Sequence, residues 1–334
     1  MSLAVITGAS GLLGGNLAEA LLGAGHRVRA TRRASTRVAH LDDLAIEWVD
    51  ADLADPGALT AAFDGADVVF HCAAAVGVRK GVSAAMRAAN VDGTAHVLEA
   101  VRAARVPRLV HTSSVVAVGL STDGRPCDEQ ARWNFDEAGL LDGYAITKHE
   151  AEERVRAAAG AGVDAVIVNP TYMFGARDAR PSSGSLIVDI VRGKVPGWTS
   201  GYNNFVDVRD VARGMIAAWQ RGQRGERYIL GGHDQTYRDI MRTIARLAGV
   251  RPPRWQVPQA IARVAGRVGD LAERLLDRDP LINSITVRYA YTDRFRFRCD
   301  RARRELDYTI SPIEPAIVEA LAWFRSHGLL PPRL

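Results

Sequence analysis

Cysteine, lysine and long apolar runs are all scarce in this chain of 334 residues. The three cysteines, Cys72, Cys127 and Cys299, are far apart, and their spacing fits neither a metal site nor a redox pair. No stretch approaches the ~18 consecutive apolar residues that favour a membrane-spanning helix, and no signal peptide is visible after Met1. We therefore expect a cytoplasmic protein that binds no metal and does not insert into membranes.

The chain uses arginine far more often than lysine. Lysine occurs only as Lys80, Lys148 and Lys194, whereas arginine is abundant. Because arginine cannot supply the chemistry of a compact ammonium, a retained lysine marks a candidate functional position. The net charge of +5 would permit binding to nucleic acid, but the basic residues are scattered and lack interleaved aromatic residues. We expect no nucleic-acid partner.

Short apolar strands alternate with amphipathic helices in the first half of the chain. The predicted strands cover 3–7, 27–33, 46–53, 66–74, 108–118 and 164–171. This alternation predicts an α/β fold with a Rossmann-type, doubly wound parallel sheet and helices on both faces. We place this domain at 1–175, with returning segments near 205–232.

Prolines interrupt the pattern after about residue 175. Helical patterns recur there at 185–193, 208–221, 237–248, 258–276 and 313–327. We expect residues 176–334 to form mainly a smaller, mostly helical substrate-binding lobe, with "RYILGG" (227–232) adding a strand to the main sheet. The segment 258–298 is expected to act as its lid.

A glycine-rich turn, "VITGASGLLGG" (5–15), separates the first strand from the first helix. Gly8 allows a tight bend, Gly11 lets the backbone approach a pyrophosphate, and Gly14 lets helix and strand pack closely. The helix N-terminus adds unpaired N–H groups and a positive dipole end. A glycine-rich turn without a ligand is the alternative, but this position favours a dinucleotide-binding domain.

A second motif, "YAITK", places Tyr144 and Lys148 one helical turn apart on one face. A tyrosine of pKa near 10 is a poor acid–base group at neutral pH unless its anion is stabilised. We expect the Lys148 ammonium to lower that pKa and to hold a cofactor ribose, and Ser114 in "HTSSVV" to orient the substrate oxygen. The predicted catalytic residues are Ser114, Tyr144 and Lys148; an exposed helix pair and a strand-end turn are the alternative.

Together, these motifs resemble the extended short-chain dehydrogenase/reductase family, in its branch of dihydroflavonol reductases and hopanoid-associated sugar epimerases. Supporting stretches include "DADLAD" (50–55), "VFHCAA" (69–74), "NVDGT" (90–94), "NPTYMFG" (169–175) and "FVDVRDVA" (205–212). The resemblance implies a homodimer paired through helices 81–104 and 144–160. It implies that Asp52 meets the adenine, Pro170 lies along the nicotinamide and Asn90 supports the active-site helix. The implied cofactor contacts are Thr7, Gly8, Ser10, Gly11, Leu12, Leu13, Gly14, Arg32, Arg33, Asp52, Leu53, Cys72, Ala73, Ala74, Asn90, Thr112, Ser113, Tyr144, Lys148, Pro170 and Tyr172.

The end of the second predicted strand, "RATRR" (29–33), indicates which cofactor is used. Enzymes that prefer NAD usually carry an acid here for the ribose 2′-OH, whereas arginine accommodates a 2′-phosphate. No acid lies between Arg27 and Arg37, and Arg32 and Arg33 are available. We expect NADP(H), with NAD(H) as the alternative if both arginines are simply solvated.

The segment around Gly175 bears on the substrate. Sugar-nucleotide enzymes of the family typically have arginine six residues and asparagine three residues before this glycine, but this chain has Asn169 and Tyr172. The departure favours a ketone or aldehyde with an apolar or aromatic body. The predicted substrate contacts are Ser114, Tyr172, Met173, Arg177, Trp198 and Phe205, although some of the aromatics could be core residues. Arg177 could bind an anionic group or form a surface ion pair.

These inferences predict an NAD(P)H-dependent oxidoreductase that reduces a small carbonyl compound or oxidises the alcohol. An epimerase or dehydratase that retains NAD is the alternative. A non-catalytic nucleotide sensor of the same fold is a third reading, which the presence of both Tyr144 and Lys148 disfavours.

Overall fold

A computed structural model describes residues 1–276 and 282–332 of the chain. Ten strands are present in these ranges: β1 (Leu3–Thr7), β2 (Arg27–Arg32), β3 (Ile46–Asp50), β4 (Val68–His71), β5 (Leu109–Thr112), β6 (Ala165–Pro170), β7 (Tyr172–Phe174), β8 (Tyr202–Asp207), β9 (Arg227–Leu230) and β10 (His233–Thr236). Seven of them form one parallel sheet in the order β3-β2-β1-β4-β5-β6-β9. The order reverses beside β1, so a crevice opens there at the carboxyl ends of the strands. The predicted Rossmann-type sheet is confirmed.

Helices cover both faces of this sheet. Those described are α1 (Leu12–Gly23), α2 (Pro56–Phe63), α3 (Ala84–Arg87), α4 (Gly93–Ala103), α5 (Gly143–Gly160), α6 (Ser185–Val191), α7 (Val208–Arg221), α8 (Tyr237–Ala248), α9 (Gln259–Leu276), α10 (Ser284–Tyr291), α11 (Asp300–Leu306) and α12 (Ile313–Ser326). Leu17 of α1 and Met215 of α7 belong to the core on one face, and Phe63, Val97 and Val155 to the core on the other. Strands apolar on both sides are typical of such a doubly covered sheet.

A π-helical turn, Ala88–Asp92, joins α3 to α4. The sequence predicts one regular helix over 81–104, and the structure instead has an α-helical start, this wider turn and then α4. The turn carries Asn90, which is 2% exposed. π-turns inside helices often accompany functional sites.

The smaller lobe contains a three-stranded sheet, ordered β10-β8-β7, that the sequence did not predict. It packs against α6, α8 and α12 around a third core. The expected late strand is confirmed as β9, which joins the main sheet, whereas β8 belongs to the small one. The division of the chain at residue 175 stays a prediction. Of the expected lid, residues 277–281 lie outside the described residues.

Within the described ranges, no helix combines the length and the apolar character that crossing a membrane requires.

Two glycines of the turn after β1 are fixed by backbone contacts. Gly8 has a φ of +77°, and a Cβ there would lie 2.6 Å from the Ala73 Cα. A Cβ on Gly14 would lie 2.3 Å from the Gly8 carbonyl oxygen. On Gly11 it would meet only that same oxygen, at 3.5 Å, which is an ordinary contact. Gly8 and Gly14 therefore set the close packing of strand, turn and helix, while Gly11 faces open space.

Replacement of Gly14 by alanine is expected to destabilise the protein by about 2 kcal/mol or more, because the new methyl group meets backbone that cannot move aside. The matched control on the same helix is Gly23→Ala, since no described residue lies within 4 Å of a Cβ there. The control should stabilise by about 0.5–1 kcal/mol through the helix preference of alanine. Urea unfolding at pH 7 measures both, and equal stability of the two variants would contradict the packing role of Gly14.

Candidate active site

The predicted catalytic residues come from α5 and from the end of β5. Asp142 caps α5, because its Oδ1 accepts a hydrogen bond of 2.7 Å from the Ala145 N–H. Gly143, the first residue of the helix, lies against the loop after β4, so that a Cβ there would be 2.1 Å from the Gly81 carbonyl oxygen. These contacts fix where α5 begins and hence where Tyr144 and Lys148 stand.

The Lys148 ammonium is almost completely buried, with 3% of the residue exposed. Its Nζ donates a hydrogen bond of 2.6 Å to the Thr112 carbonyl oxygen. Burial lowers the pKa of Lys148 to about 8, and the Glu152 carboxylate opposes that shift. The lysine is therefore charged at neutral pH but close to losing its proton.

Tyr144, one helical turn before this lysine, forms a polar pair with Ser114. The two side chains are hydrogen-bonded, and Ser114 thereby favours the phenolate. Burial nevertheless raises the pKa of Tyr144 to about 12. Loss of hydration therefore outweighs the hydrogen bond with Ser114, and the expected lowering of this pKa by Lys148 stays a prediction. At neutral pH Tyr144 is a proton donor.

A buried network supports both catalytic segments. Asn169 Nδ2 donates to the Ser114 carbonyl oxygen at 2.9 Å and to Glu152 Oε2 at 2.7 Å. Arg227 on β9 donates to Glu152 Oε1 at 3.0 Å, and Glu152 is 0% exposed. Sequence reasoning missed Glu152 and Arg227 as site residues. The signal available for Glu152 was its position four residues after Lys148, on the same helix face.

Asn90 connects the loop after β4 to the catalytic helix. Its Nδ2 donates to the Ala75 carbonyl oxygen at 2.9 Å and to Thr147 Oγ1 at 3.0 Å, and its Oδ1 accepts from the Ala75 N–H at 2.7 Å. Thr147 directly precedes Lys148. This geometry fits the implied role of Asn90 as support for the active-site helix, with its amide fully occupied by protein contacts.

The glycine turn has the features of an anion cradle. Gly11 occupies the N-cap of α1, and no side chain caps this end among the described residues. The first-turn N–H groups, those of Leu12 and Leu13 included, can therefore receive a phosphate where Gly11 leaves room. The turn fits the pyrophosphate of a dinucleotide.

The other predicted cofactor residues fall into two groups. One group is buried and comprises Asn90, Lys148 and four residues at the strand ends, Thr7, Thr112, Ser113 and Pro170. Outside the glycine turn, the other predicted cofactor residues are at least partly accessible. Thr7 bonds His71 Nδ1 at 2.7 Å and accepts from the Ala73 N–H at 3.4 Å. It therefore connects β1 to β4 rather than facing the crevice.

The two arginines at the end of β2 differ in their surroundings. Arg32 pairs with Asp50 on the neighbouring strand at 2.9 Å and lies 5.9 Å from the Trp48 ring centroid. Arg33 is exposed, with no ion pair among the described residues. Arg33 is therefore the more available cation.

Two predicted substrate contacts are corrected by the structure. Phe205 is 0% exposed and stacks on Phe174, with ring centroids 5.6 Å apart, because it faces the third core. Arg177 binds Asp43 through two hydrogen bonds of 3.0 and 2.6 Å and Glu19 through one of 2.9 Å. The ion-pair alternative therefore holds, and both partners are distant from Arg177 in the sequence.

Tyr172, Met173 and Trp198 are partly exposed and remain candidates for substrate contact. The Tyr172 hydroxyl donates to the Ser183 carbonyl oxygen at 3.2 Å, and burial raises its pKa. The Arg238 guanidinium lies 4.8 Å from the Trp198 ring centroid.

Comparison with known proteins places these motifs in one family. The profile of the NAD dependent epimerase/dehydratase family matches residues 4–231. The chain is 34% identical to a protein of Synechocystis sp. named "Putative dihydroflavonol 4-reductase", over 97% of this chain and 94% of the other. It is 35% identical to "Sterol demethylase protein B" of Methylococcus capsulatus, over 98% and 99% of the two chains.

The crystal structure of gox2253 is similar throughout, with 32% identity, a TM-score of 0.85 and coverage of 99% of this chain and 100% of that one. These matches confirm the predicted extended short-chain dehydrogenase/reductase resemblance. The chain belongs to the NAD dependent epimerase/dehydratase family and is an NAD(P)-dependent oxidoreductase.

Proposed function

We propose that this protein is a reductase that uses NAD(P)H to reduce the carbonyl group of a ketone or aldehyde with an apolar or aromatic body. The observation that carries the proposal is the protonated Tyr144 phenol beside Ser114, one helical turn from a buried Lys148 ammonium. The names of two relatives support the proposal. "Putative dihydroflavonol 4-reductase" names a reduction, and "Sterol demethylase protein B" names an apolar class of substrate.

The residues of this chain supply binding and proton transfer. Ser114 and Tyr144 hydrogen-bond the substrate carbonyl oxygen, and Tyr144 gives its hydroxyl proton to that oxygen as negative charge develops there. The nicotinamide, when bound, supplies the hydride to the carbonyl carbon. The Lys148 ammonium then stabilises the Tyr144 phenolate until a solvent proton restores the phenol.

For the cofactor, we propose NADP(H), with NAD(H) as the alternative. The pyrophosphate is assigned to the turn of Gly8, Gly11 and Gly14. The exposed Arg33 is assigned to the 2′-phosphate, whereas Arg32 is already paired with Asp50. An arginine fork is suited to phosphate because it donates two hydrogen bonds in one plane.

An epimerase or dehydratase that retains NAD is the second candidate, since the family includes both activities. Asn169 argues against it: where sugar-nucleotide enzymes typically have arginine, this chain has an amide that serves Ser114 and Glu152. Purified protein that carries stoichiometric NAD would favour the second candidate. The homodimer, the cytoplasmic location and the division into two domains stay predictions.

Tyr144→Phe should lower kcat for carbonyl reduction by about 10²-fold or more, because the proton donor is lost. Cofactor affinity, measured by fluorescence titration, should change little. The control is Tyr228→Phe, whose hydroxyl bonds Gln223 and Glu305 away from the site. Near wild-type kcat for Tyr144→Phe would refute the assignment.

The rate of reduction should fall as the pH rises through about 8, since Lys148 then loses the charge that stabilises the phenolate. Glu152→Gln removes the carboxylate that raises the pKa of Lys148, so this limb of the pH–rate profile should move to lower pH. The control on the same helix is Glu150→Gln, which removes only a surface pair with Arg87. Identical profiles for the two variants would contradict the proposed role of Glu152.

Arg33→Ala should raise the KM for NADPH about tenfold or more, because a charged hydrogen bond to phosphate is lost. The KM for NADH should be unaffected. Arg37→Ala, an exposed arginine further along the loop, is the matched control. A lower KM for NADH than for NADPH in the unaltered protein would overturn the cofactor proposal.

A further inference from the structure

Exposed large apolar side chains are concentrated in one segment of the chain. Seven of the eleven exposed large hydrophobic residues in the described part of the chain lie between 255 and 282. Five of them, which we term the α9 stripe, share one face of α9: Ile261, Val264, Val268, Leu271 and Leu275. Their exposure runs from 56% to 73%. Contiguous patches of this kind mark interaction surfaces, whereas single exposed apolar residues do not.

The contacts on the opposite face of α9 fix the helix so that the α9 stripe faces outwards. The helix contacts the segment 282–287 through Gly266 and Gly269, where a Cβ would lie 3.0 Å from the Ser284 Cα and 1.7 Å from the Ile282 carbonyl oxygen. Asp270 fixes this orientation by accepting bonds from Lys80 Nζ at 2.6 Å and from the Ser284 N–H at 3.0 Å. Small residues thus face the protein and large apolar residues face outwards, the reverse of an ordinary surface helix.

The inward face of α9 is linked to the segments that form the catalytic crevice. Lys80, the partner of Asp270, belongs to the loop after β4, and in that loop the Arg79 carbonyl oxygen accepts a bond of 3.2 Å from the Gly143 N–H. Gly143 directly precedes Tyr144. Val76, in the same loop, is 65% exposed, and Leu141, next to the start of α5, is 37% exposed. Exposed apolar residues therefore also occur on the two segments that link α9 to the site.

The charges around the α9 stripe indicate its partner. Arg263 and Arg267 are exposed on α9, and Arg251 and Arg254 precede the helix. Between residues 251 and 276 the sequence has five arginines but only two acids, Glu273 and Asp270, and Lys80 neutralises Asp270. Trp255, which precedes the N-terminus of α9, is 49% exposed, and tryptophan is favoured at membrane interfaces. An apolar face flanked by arginine is the pattern of a helix that lies in the surface of an anionic bilayer.

We propose that α9 docks this protein on membranes that contain anionic phospholipid. The α9 stripe enters the boundary between headgroups and acyl chains, and Arg263 and Arg267 meet lipid phosphates. The protein then lies on the membrane without crossing it. If the proposed function holds, an apolar carbonyl substrate can pass from the bilayer to the crevice; the docking itself does not depend on that function.

A second copy of the chain is the competing occupant, because the 3–4 spacing of the α9 stripe also suits a coiled coil. However, α9 has only 18 residues, short of the three to four heptads that indicate a coiled coil. Arg267 flanks one side of the stripe, and Ala265 and Ala272 flank the other, so the flanks offer no acid to pair with arginine. A lipid surface supplies that negative charge.

Co-sedimentation with vesicles tests the proposal in two compositions, phosphatidylcholine alone and phosphatidylcholine with one-quarter phosphatidylglycerol. The unaltered protein should bind the anionic vesicles. The triple variant Val264→Ser, Val268→Ser, Leu271→Ser should bind them more than about tenfold less tightly. The control is Val318→Ser, which removes another exposed apolar side chain (48% exposed) from α12 and should bind normally.

The pair Arg263→Gln, Arg267→Gln should also weaken binding about tenfold or more, and added salt should have a similar effect. Arg242→Gln, exposed on α8, is its control. Absence of binding by the unaltered protein, or equal binding by the triple variant, would overturn the proposal. So would concentration-dependent dimerisation in sedimentation velocity that only the triple variant lacks. Vesicle binding is measured without substrate or cofactor, so a failure of docking is distinguishable from a failure of the proposed function.

Discussion

Burial of the Lys148 ammonium is the constraint on which the rest of the catalytic site depends. Removing a charge from water is costly unless dipoles and an opposite charge compensate for it. The Thr112 carbonyl oxygen supplies the dipole, and Glu152 supplies the charge from one turn further along α5. Glu152 is itself buried, and its carboxylate is stabilised by hydrogen bonds from Arg227 and Asn169. One helix and strands β5, β6 and β9 are thereby fixed relative to each other.

The described part of the smaller lobe packs against the rest of the protein in two different ways. Around β7 and β8 it is firmly packed, since the stacked rings of Phe174 and Phe205 are both buried and Arg177 ties the chain back to Glu19 and Asp43. Around α9 it contacts the remainder through glycines and presents its large residues to the outside. The first region holds the lobe in place, and the second gives it a surface for a partner.

Features that depend on local sequence were predictable, and those that depend on distant contacts were not. The helices at 208–221 and 237–248 have the predicted bounds, because their apolar periodicity and caps are local. The strands β7, β8 and β10 were missed because their pairing joins residues that are distant in the sequence, Tyr172 with Phe205 and Phe205 with His233. Arg177 lies 158 residues from Glu19, a distance that no motif spans. The raised pKa of Tyr144 follows from burial, which spacing alone does not reveal.

The π-helical turn Ala88–Asp92 depends on the number of residues in this segment. Such a turn accommodates one extra residue, so the α-helical segments before and after it keep the faces that they would present without that residue. Asn90 can therefore reach Ala75 and Thr147 while Val97 still faces the sheet. Deleting a single amino acid here would let the segment close into an uninterrupted α-helix, which keeps both flanking faces but removes the wide turn that directs Asn90 to Ala75 and Thr147.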